Sequence, residues 1–311
     1  MKEEAAGRSD SGRSRTQEMT MTTRSITSMT DGQQKQFRRF IEDAADKALA
    51  ETSLSKDELQ RLIANGGKFQ SSIMAAIREF SGTRFLREEI LSDCTYPEEY
   101  KGPKPISEQV AILLERLPAL GNATYDKKLA TRPLPPNTEG WFAIPRWEKL
   151  GSSYTDAVER MFRSFWPTWN FNIHHRPIGR SHLRQLAETT RAFQRLGDEQ
   201  FGHDILVVPA QFGLRHRGRS ARRARETMNV DEFALGVFAV GCMLLTHPER
   251  QQLIKQKQLQ VDCAGDEYAI DADQFFFAPS LAFNRKEAYL GVSEDSAVYN
   301  DFGVASGFLL L

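Results

Sequence analysis

An uninterrupted apolar stretch, Phe233 to Leu245, constrains the fold of this chain more than any other feature. Its thirteen residues include no polar side chain except the thiol of Cys242. A helix that is hydrophobic on every face has no side for water, so it lies inside a globule or in a membrane. Thirteen residues rise only about 20 Å as a helix, well short of the roughly 30 Å hydrocarbon layer of a bilayer. The stretch therefore predicts a buried helix introduced by Asp231 and Glu232, with a buried strand as the alternative.

Short apolar segments elsewhere in the chain predict strands. Two of them precede the apolar stretch: Trp141 to Pro145, and Ile205 to Val208, which Pro209 closes. Those that follow it are Leu259–Val261, Phe275–Phe277, Leu281–Phe283 and Tyr289–Leu290. Strands on both sides of a helical stretch predict a mixed α/β (α+β) domain built around the buried apolar helix.

Composition divides the 311 residues into three parts. Residues 1–30 contain eleven Ser or Thr and almost no large apolar side chain, which predicts a disordered tail. Residues 31–120 show helical spacing of apolar side chains, and Ser55 and Glu58 predict a capping box at the start of one helix. A Pro-rich, linker-like stretch at 131–137 then opens the mixed α/β domain, which extends to residue 311.

Positive charge collects directly after one of the predicted strands. Six arginines and His216 fall within residues 215–225, which we call the Arg turn, and no acidic residue lies between Asp204 and Glu226. Arginine side chains match phosphate oxygens in pairs, and Gly213 and Gly218 would let backbone amides approach an anion. The candidate anion- or nucleic-acid-binding residues are Arg215, His216, Arg217, Arg219, Arg222 and Arg223.

The Arg turn lacks the spacing of the common nucleotide-binding motifs. A Walker loop needs Gly-x-x-x-x-Gly-Lys-Ser/Thr, which is absent, and the two glycines are five residues apart rather than in a dinucleotide-binding pattern. A solvated surface, or internal pairing with the acids of residues 262–273, is the structural alternative to a binding site.

Those acids support a second hypothesis, an enzyme that acts on an anionic, phosphorylated substrate. Residues 262–273 contain five acids and no basic residue. With an anion held by the Arg turn, this segment would supply an acid, a base or a nucleophile. No nucleophile elbow, zinc-protease helix or paired-cysteine motif accompanies it. The candidate residues, which are alternatively structural partners of the arginines, are Asp262, Cys263, Asp266 and Glu267.

Overall charge and cysteine usage bear on partners and compartment. The formal net charge is zero, so affinity for RNA or DNA would come from a local patch. Cys94, Cys242 and Cys263 are odd in number and far apart, which favours a reducing interior, and the cytoplasm is the expected location. No membrane span is expected, no cofactor is indicated, and the histidine spacing does not favour a metal site.

Several stretches of the C-terminal 180 or so residues, a domain-sized block, resemble an uncharacterised bacterial protein family. The resemblance implies no activity. It is carried by Gly140–Trp147, Asp204–Arg225, Met243–Arg250, Asp262–Tyr268 and Ala305–Phe308.

Function is not determined by these patterns, but the Arg turn favours a nucleic-acid- or phosphate-binding protein. Four tryptophans within 29 residues would offer base-stacking surfaces to such a protein, although core and rim positions are the expectation for them. The enzyme on an anionic substrate is one alternative. A structural or protein-interaction role, in which arginines and acids pair, is the other.

Overall fold

The computed structural model describes residues 38–64 with gaps, residue 73, and residues 88–165, 170–172, 178–251, 258–284 and 287–310. Contacts within the chain divide it into one compact unit that ends at Met74 and a second that begins at Ala75. The predicted disordered tail, residues 1–30, lies outside the described residues.

The first unit contains a helix, α1, at Lys56–Ala64. Its N-terminus is a capping box, as predicted. The Glu58 amide donates to Ser55 Oγ at 3.3 Å, and the Ser55 amide donates to Glu58 Oε2 at 2.9 Å. Each side chain thus satisfies a backbone donor of the other residue, which fixes the start of the helix.

The second unit contains an antiparallel sheet whose described strands lie in the order β1-β4-β11-β5. These strands are β1 (Gly140–Pro145), β4 (Ile205–Gln211), β5 (Glu232–Ala234) and β11 (Ser306–Phe308). Every residue of β1 and β4 is buried, because both strands are apolar except at Gln211, whose side-chain amide is hydrogen-bonded to Val304, Ser306 and Gly213. Pro209 does not close β4, contrary to the prediction. It lies opposite Trp141, and β11 pairs only with Gln211 and Ala210, so no donor is needed there.

A second sheet in this unit has the order β10-β6-β8-β7-β3, with β9 beside β8 and β2 beside β9. Long antiparallel strands β8 and β9 dominate it. The strands are β2 (Asn170–Asn172), β3 (Leu183–Gln185), β6 (Gln260–Asp262), β7 (Asp266–Ala269), β8 (Phe275–Asn284), β9 (Glu287–Glu294) and β10 (Phe302–Val304).

Helices of the second unit pack around these sheets. They are α2 (Ile106–Arg116), α3 (Tyr154–Arg163), α4 (Ala187–Glu199), α5 (Ala221–Thr227) and α6 (Val237–Thr246). The serine hydroxyls at the N-caps of α3 and α5, Ser153 and Ser220, each accept a backbone amide hydrogen bond. Such caps satisfy amides that have no partner within the helix. Short 3-10 helices occupy Pro118–Leu120, Leu129–Thr131, Trp147–Lys149, Leu214–His216 and Pro248–Gln251.

All ten residues of α6 are buried, and the helix packs against α2, α3 and β1. Its predicted start at Phe233 was wrong, because Phe233 and Ala234 belong to β5 and pair with β11. Gly236 separates the strand from the helix as the N-cap residue. The apolar stretch was compatible with either a buried helix or a buried strand, and it contains both: a short buried strand is followed by a buried helix.

The mixed α/β fold predicted from the sequence is confirmed by these sheets and helices. The division of the chain into domains differs from the prediction at one helix. Helix α2 was placed with the helical region 31–120, yet it packs against β1 and α6 and contributes to their core. The compact unit accordingly begins at Ala75 rather than after a linker at 131–137.

Candidate anion-binding site

The candidate site lies where β1 begins and β4 ends. The two strands are antiparallel, with Gly140 opposite Ala210. The residue before β1 and the last residue of β4 therefore lie at the same end of this strand pair. Those residues are Glu139 and Gln211. The Arg turn follows directly from this end, so the register of one strand pair places a carboxylate beside the arginines.

Two glycines shape the path into and through the Arg turn. Gly213 and Gly218 have φ of 113° and 69°, in the region that favours glycine. A Cβ on Gly213 would lie 2.6 Å from the Gly303 carbonyl oxygen, and one on Gly218 would collide with the Ile90 carbonyl oxygen. The predicted role of these glycines, exposing amides to an anion, was wrong. Both amides already donate, to Gln211 Oε1 and to the Phe302 carbonyl oxygen.

Most arginines of the Arg turn form ion pairs, and their partners are not the acids of residues 262–273. Arg215 pairs with Glu232 at 3.1 Å and Arg219 with Glu89 at 3.0 Å. Arg222 pairs with Glu88 and Asp295, Arg223 with Glu89 and Glu226, and Arg225 with Asp295. The structural alternative was therefore right about pairing and wrong about the carboxylates involved, since strand register brings distant residues to the turn.

Arg217 differs from its neighbours. Its Nη1 donates to the Cys94 carbonyl oxygen at 3.1 Å, and within the described part of the chain the side chain forms no ion pair. The side chain is partly exposed. Arg217 thus carries a positive charge that no described carboxylate neutralises by direct contact.

His216 belongs to a buried network rather than to a binding surface. Arg219 Nη1 lies 3.1 Å from His216 Nδ1 and can only donate, so Nδ1 accepts and Nε2 carries the hydrogen. His216 Nε2 then donates to Glu232 Oε1 at 2.7 Å, and Ser306 Oγ donates to the same oxygen at 2.6 Å. Burial alone would raise the pKa of Glu232, but the hydrogen bonds from His216 and Ser306 outweigh it and lower that pKa to about 2. The carboxylate is therefore a fixed anion that anchors the turn.

An open cleft of about 680 Å³ lies beside this network. Three arginines of the turn line it, and Glu139 lines it from the start of β1. The lining residues are Glu89, Ile90, Leu91, Ser92, Asn137, Thr138, Glu139, Gln211, Leu214, Arg215, Arg217 and Arg219. The cleft thus places the unpaired guanidinium of Arg217 and a carboxyl group around one solvent-accessible space.

Glu139 is held in the cleft by an aromatic residue from another part of the chain. The Tyr96 hydroxyl donates to Glu139 Oε1 and accepts the Leu214 amide hydrogen at 3.0 Å. The Arg250 guanidinium lies 4.2 Å from the centroid of the Tyr96 ring and donates to the carbonyl oxygens of Phe212 and Leu259. The Tyr96 hydroxyl is therefore fixed at both its donor and its acceptor side.

The four acidic-segment candidates do not line this cleft. Asp262, Cys263 and Asp266 are buried, and Glu267 forms an ion pair with Arg184 at 2.7 Å. Burial raises the pKa of Asp262 to about 8, with a contribution from Asp301, and raises the pKa of the Cys263 thiol. The enzyme hypothesis required these side chains to face an anion held by the Arg turn. Within the described residues none of their carboxylates pairs with an arginine of the turn, and the segment meets the turn through the Ala264 carbonyl oxygen, which accepts Arg225 Nη1 at 3.2 Å.

Asp266 instead serves the start of α6. Its Oδ2 accepts the Val237 amide at 2.7 Å and the Tyr154 hydroxyl at 2.7 Å. A Cβ on Gly236 would collide with Asp266 Oδ1, which explains the glycine at that N-cap. Burial raises the pKa of Asp266 to about 7, and these two hydrogen bonds oppose the increase. We assign Asp266 a capping role at an amide that the strand-to-helix change would otherwise leave without a partner.

The residues that complete the site were missed by sequence reasoning. Glu88, Glu89, Glu232 and Asp295 neutralise the turn, and Glu139, held by Tyr96, lines the cleft. Only Glu139 carried a signal, because it lies just before the predicted strand Trp141–Pro145, whose antiparallel partner leads into the Arg turn. Of the four tryptophans, Trp141 is buried and Trp147 is partly buried, whereas 166 and 169 lie outside the described residues.

Comparisons of the chain with models of protein families, with curated proteins and with solved structures find no match. The resemblance to a bacterial family thus stays a prediction. Among the described residues, no group of three histidines, cysteines or acids is placed to hold a metal ion. In the same residues, no helix combines the length and apolar character that a bilayer span requires.

Proposed function

We propose that this protein binds a small molecule that carries a phosphate or another oxyanion, in the cleft between the Arg turn and the start of β1. The observation that carries the proposal is Arg217. It lines the cleft with one hydrogen bond to a carbonyl oxygen and no ion pair among the described residues. Arg215 and Arg219 line the same cleft and add positive potential. One guanidinium group can donate two parallel hydrogen bonds to two oxygens of a phosphate or carboxylate, so Arg217 is suited to bind an oxyanion.

The size of the cleft supports a small ligand. Its volume of about 680 Å³ lies within the roughly 300–1,000 Å³ typical of small-molecule sites. The exposed Asn137 also lines the cleft, and its amide would add a polar contact once the anionic group of a ligand is held. The cleft therefore offers both an anion-binding wall and an additional polar contact.

The charge balance of the Arg turn favours a small anion over a nucleic acid. Five of the six arginines lie at ion-pair distance from five carboxylates, which leaves the charge of Arg217 as the single excess positive charge on the turn and its described partners. Affinity for RNA or DNA depends on several phosphates neutralised along an extended basic surface. The arginines that already pair with carboxylates supply little of that surface. Binding of RNA instead of a small anion is the alternative outcome of the experiment below.

We expect the substitution Arg217→Ala to weaken oxyanion binding with little change in stability. Hydrogen bonds to a charged group contribute about 1.5–3 kcal/mol, so the dissociation constant should rise by about 10- to 100-fold. The free energy of unfolding should fall by no more than about 1 kcal/mol, because only the bond to Cys94 is lost. Calorimetric titration with inorganic phosphate, glycerol phosphate and a nucleoside monophosphate measures the affinity, and thermal melting measures the stability.

Arg160→Ala is the matched control, because Arg160 is an exposed arginine of α3 in an ion pair with Asp156 and does not line the cleft. It should leave both quantities unchanged. Equal affinities of the wild type and Arg217→Ala for every probe would refute the proposal. Tight binding of a single-stranded RNA with a steep salt dependence, and no binding of the small probes, would favour the nucleic-acid hypothesis instead.

The cytoplasmic location belongs to the same proposal. It is supported by the three cysteines, each of which is buried and not engaged in a disulfide.

A further inference from the structure

The cleft beside the Arg turn has apolar side chains in its lining as well as arginines. Leu214 belongs to the 3-10 helix within the turn, whereas Ile90 and Leu91 come from a distant segment of the chain. Leu91 is fully exposed, at 100%, and Ile90 is exposed to 40%. A single exposed leucine is common on a protein surface, so the informative feature is the position of this pair beside the arginines.

Hydrogen bonds hold the segment that contains Ile90 and Leu91 against the Arg turn. The Ile90 amide donates to the Gly218 carbonyl oxygen at 2.8 Å. A few residues later, the Cys94 carbonyl oxygen accepts Arg217 Nη1 at 3.1 Å. Leu91 therefore lies between an attachment to the backbone of the turn and an attachment to the guanidinium group that the proposed function assigns to the anion.

The reach of the chain limits how far Leu91 lies from that guanidinium group. Cys94 is three residues after Leu91, and an extended chain advances at most about 3.6 Å per residue, so their Cα atoms are at most about 11 Å apart. The Leu91 side chain and the Arg217 guanidinium group also line the same cleft. A single small molecule is therefore long enough to contact both of them.

We propose that the cleft selects oxyanions that carry an apolar group, such as alkyl or aryl phosphate monoesters, with the phosphate at Arg217 and the apolar group against Ile90 and Leu91. This inference rests on the proposed function and specifies the class of its ligand. Apolar walls with a few fixed polar groups are the usual composition of small-molecule sites. The charge of Arg217 alone does not distinguish such an ester from a polar phosphate, whereas contact with apolar side chains does.

Glycerol phosphate and hexyl phosphate test the apolar contact, because the two monoesters carry the same charge and differ in the polarity of the attached group. Each methylene group fully removed from water strengthens binding about fourfold, so hexyl phosphate should bind at least about tenfold more tightly than glycerol phosphate. Its binding should also show the more negative heat capacity change that burial of apolar surface produces. Calorimetric titration at a fixed pH and at several temperatures measures both quantities.

Substitution of Leu91 separates this contact from the anion site. Leu91→Ala should weaken hexyl phosphate binding about 5- to 10-fold and leave inorganic phosphate binding within about twofold of the wild type. The fold should not change, because the side chain is fully exposed. Leu91→Met keeps an apolar side chain of similar volume and should bind hexyl phosphate as the wild type does.

Val230→Ala is the matched control for the loss of an exposed apolar side chain. Val230 is exposed to 98%, and it lines another pocket, beside α4 and β5. The substitution should leave the affinity for every phosphate probe unchanged.

Phospholipids also combine a phosphate with an apolar group, so the source of the ligand has its own comparison. Vesicles of phosphatidylcholine and phosphatidic acid present that chemistry at a bilayer, and dissolved hexyl phosphate presents it as a small molecule. We expect binding of hexyl phosphate and no flotation of the protein with the vesicles, since one exposed leucine and one excess positive charge are weak signals for a bilayer. Flotation without binding of hexyl phosphate would overturn the small-molecule ligand.

The remaining outcomes separate this inference from the proposed function. Equal affinities for glycerol phosphate and hexyl phosphate, both lost in Arg217→Ala, would overturn the apolar contact and leave the anion site standing. A hexyl phosphate affinity that Leu91→Ala does not change, or that Val230→Ala lowers equally, would overturn the contact as well. Absence of binding of every phosphate probe would refute the anion site itself.

Discussion

The substitution Leu244→Asp is expected to prevent the protein from folding to a soluble form. Leu244 is fully buried in α6, and its side chain belongs to the main hydrophobic core of the second unit. A carboxyl group there would have no partner. Its charged form is unfavourable in the core, so its pKa would rise and the group would become neutral, but burying that polar group without a hydrogen bond still costs several kcal/mol. Domains of ordinary stability have only about 5–15 kcal/mol in total. The loss of packing around the shorter side chain adds to this cost.

Leu244→Met is the appropriate control, because it conserves volume and should cost less than about 1.5 kcal/mol. Soluble yield, circular dichroism and thermal melting distinguish the variants. A Leu244→Asp protein that is soluble and melts cooperatively near the wild-type midpoint would mean that this face of α6 meets solvent, contrary to the structure.

Sequence patterns predicted the presence of α6 better than its boundary. An apolar stretch is equally compatible with a buried strand and a buried helix, because neither has a polar face to set a period. The change at Gly236 depends on β11, which pairs with Phe233, and on Asp266, which caps the helix. Both partners lie well C-terminal to the stretch, so no local pattern contains the boundary. The capping box at Ser55 and Glu58 was predictable because both residues lie within one turn.

In the candidate site, too, only the features that lie close together in the sequence were predictable. The concentration of arginines was visible in the sequence, and so was its position after a strand. Their partners were not, because Glu88 and Glu89 are more than 120 residues away from the turn in sequence. The acidic segment 262–273 attracted attention by its local density of charge. Charge density, however, does not determine which acids the strand pairing brings near, and Asp266 is used at a helix end.

Glu139 shows how register can create a site. It is an ordinary residue in the sequence, and its position follows from the pairing of Gly140 with Ala210 at the sheet edge. Its orientation follows from Tyr96, 43 residues earlier. A carboxyl group, a guanidinium without an ion pair and a cleft are each common, and their coincidence at one edge is the feature from which we infer ligand binding.

The substitution Glu232→Ala is expected to destabilise the protein by about 3–5 kcal/mol, as is typical when one partner of a buried charge network is removed. The Glu232 side chain is fully buried and accepts hydrogen bonds from His216, Ser306 and Arg215. Its removal would leave the Arg215 charge, the His216 N–H and the Ser306 hydroxyl without an acceptor. Glu159→Ala, which removes a surface carboxylate paired with Arg163, should cost less than about 1 kcal/mol.

The pH dependence of stability gives an independent measure of the same network. The pKa of Glu232 falls from an ordinary value of 4.5 to about 2 on folding, so its contribution is complete above the unfolded pKa and is lost as the pH falls towards 2. At about 1.4 kcal/mol per pKa unit, that contribution is about 3 kcal/mol. Denaturant unfolding between about pH 3 and pH 7 should therefore show a steeper acid-induced loss in the wild type than in Glu232→Gln. Parallel curves for the two proteins, together with a small cost of Glu232→Ala, would show that the Arg turn does not depend on this carboxylate.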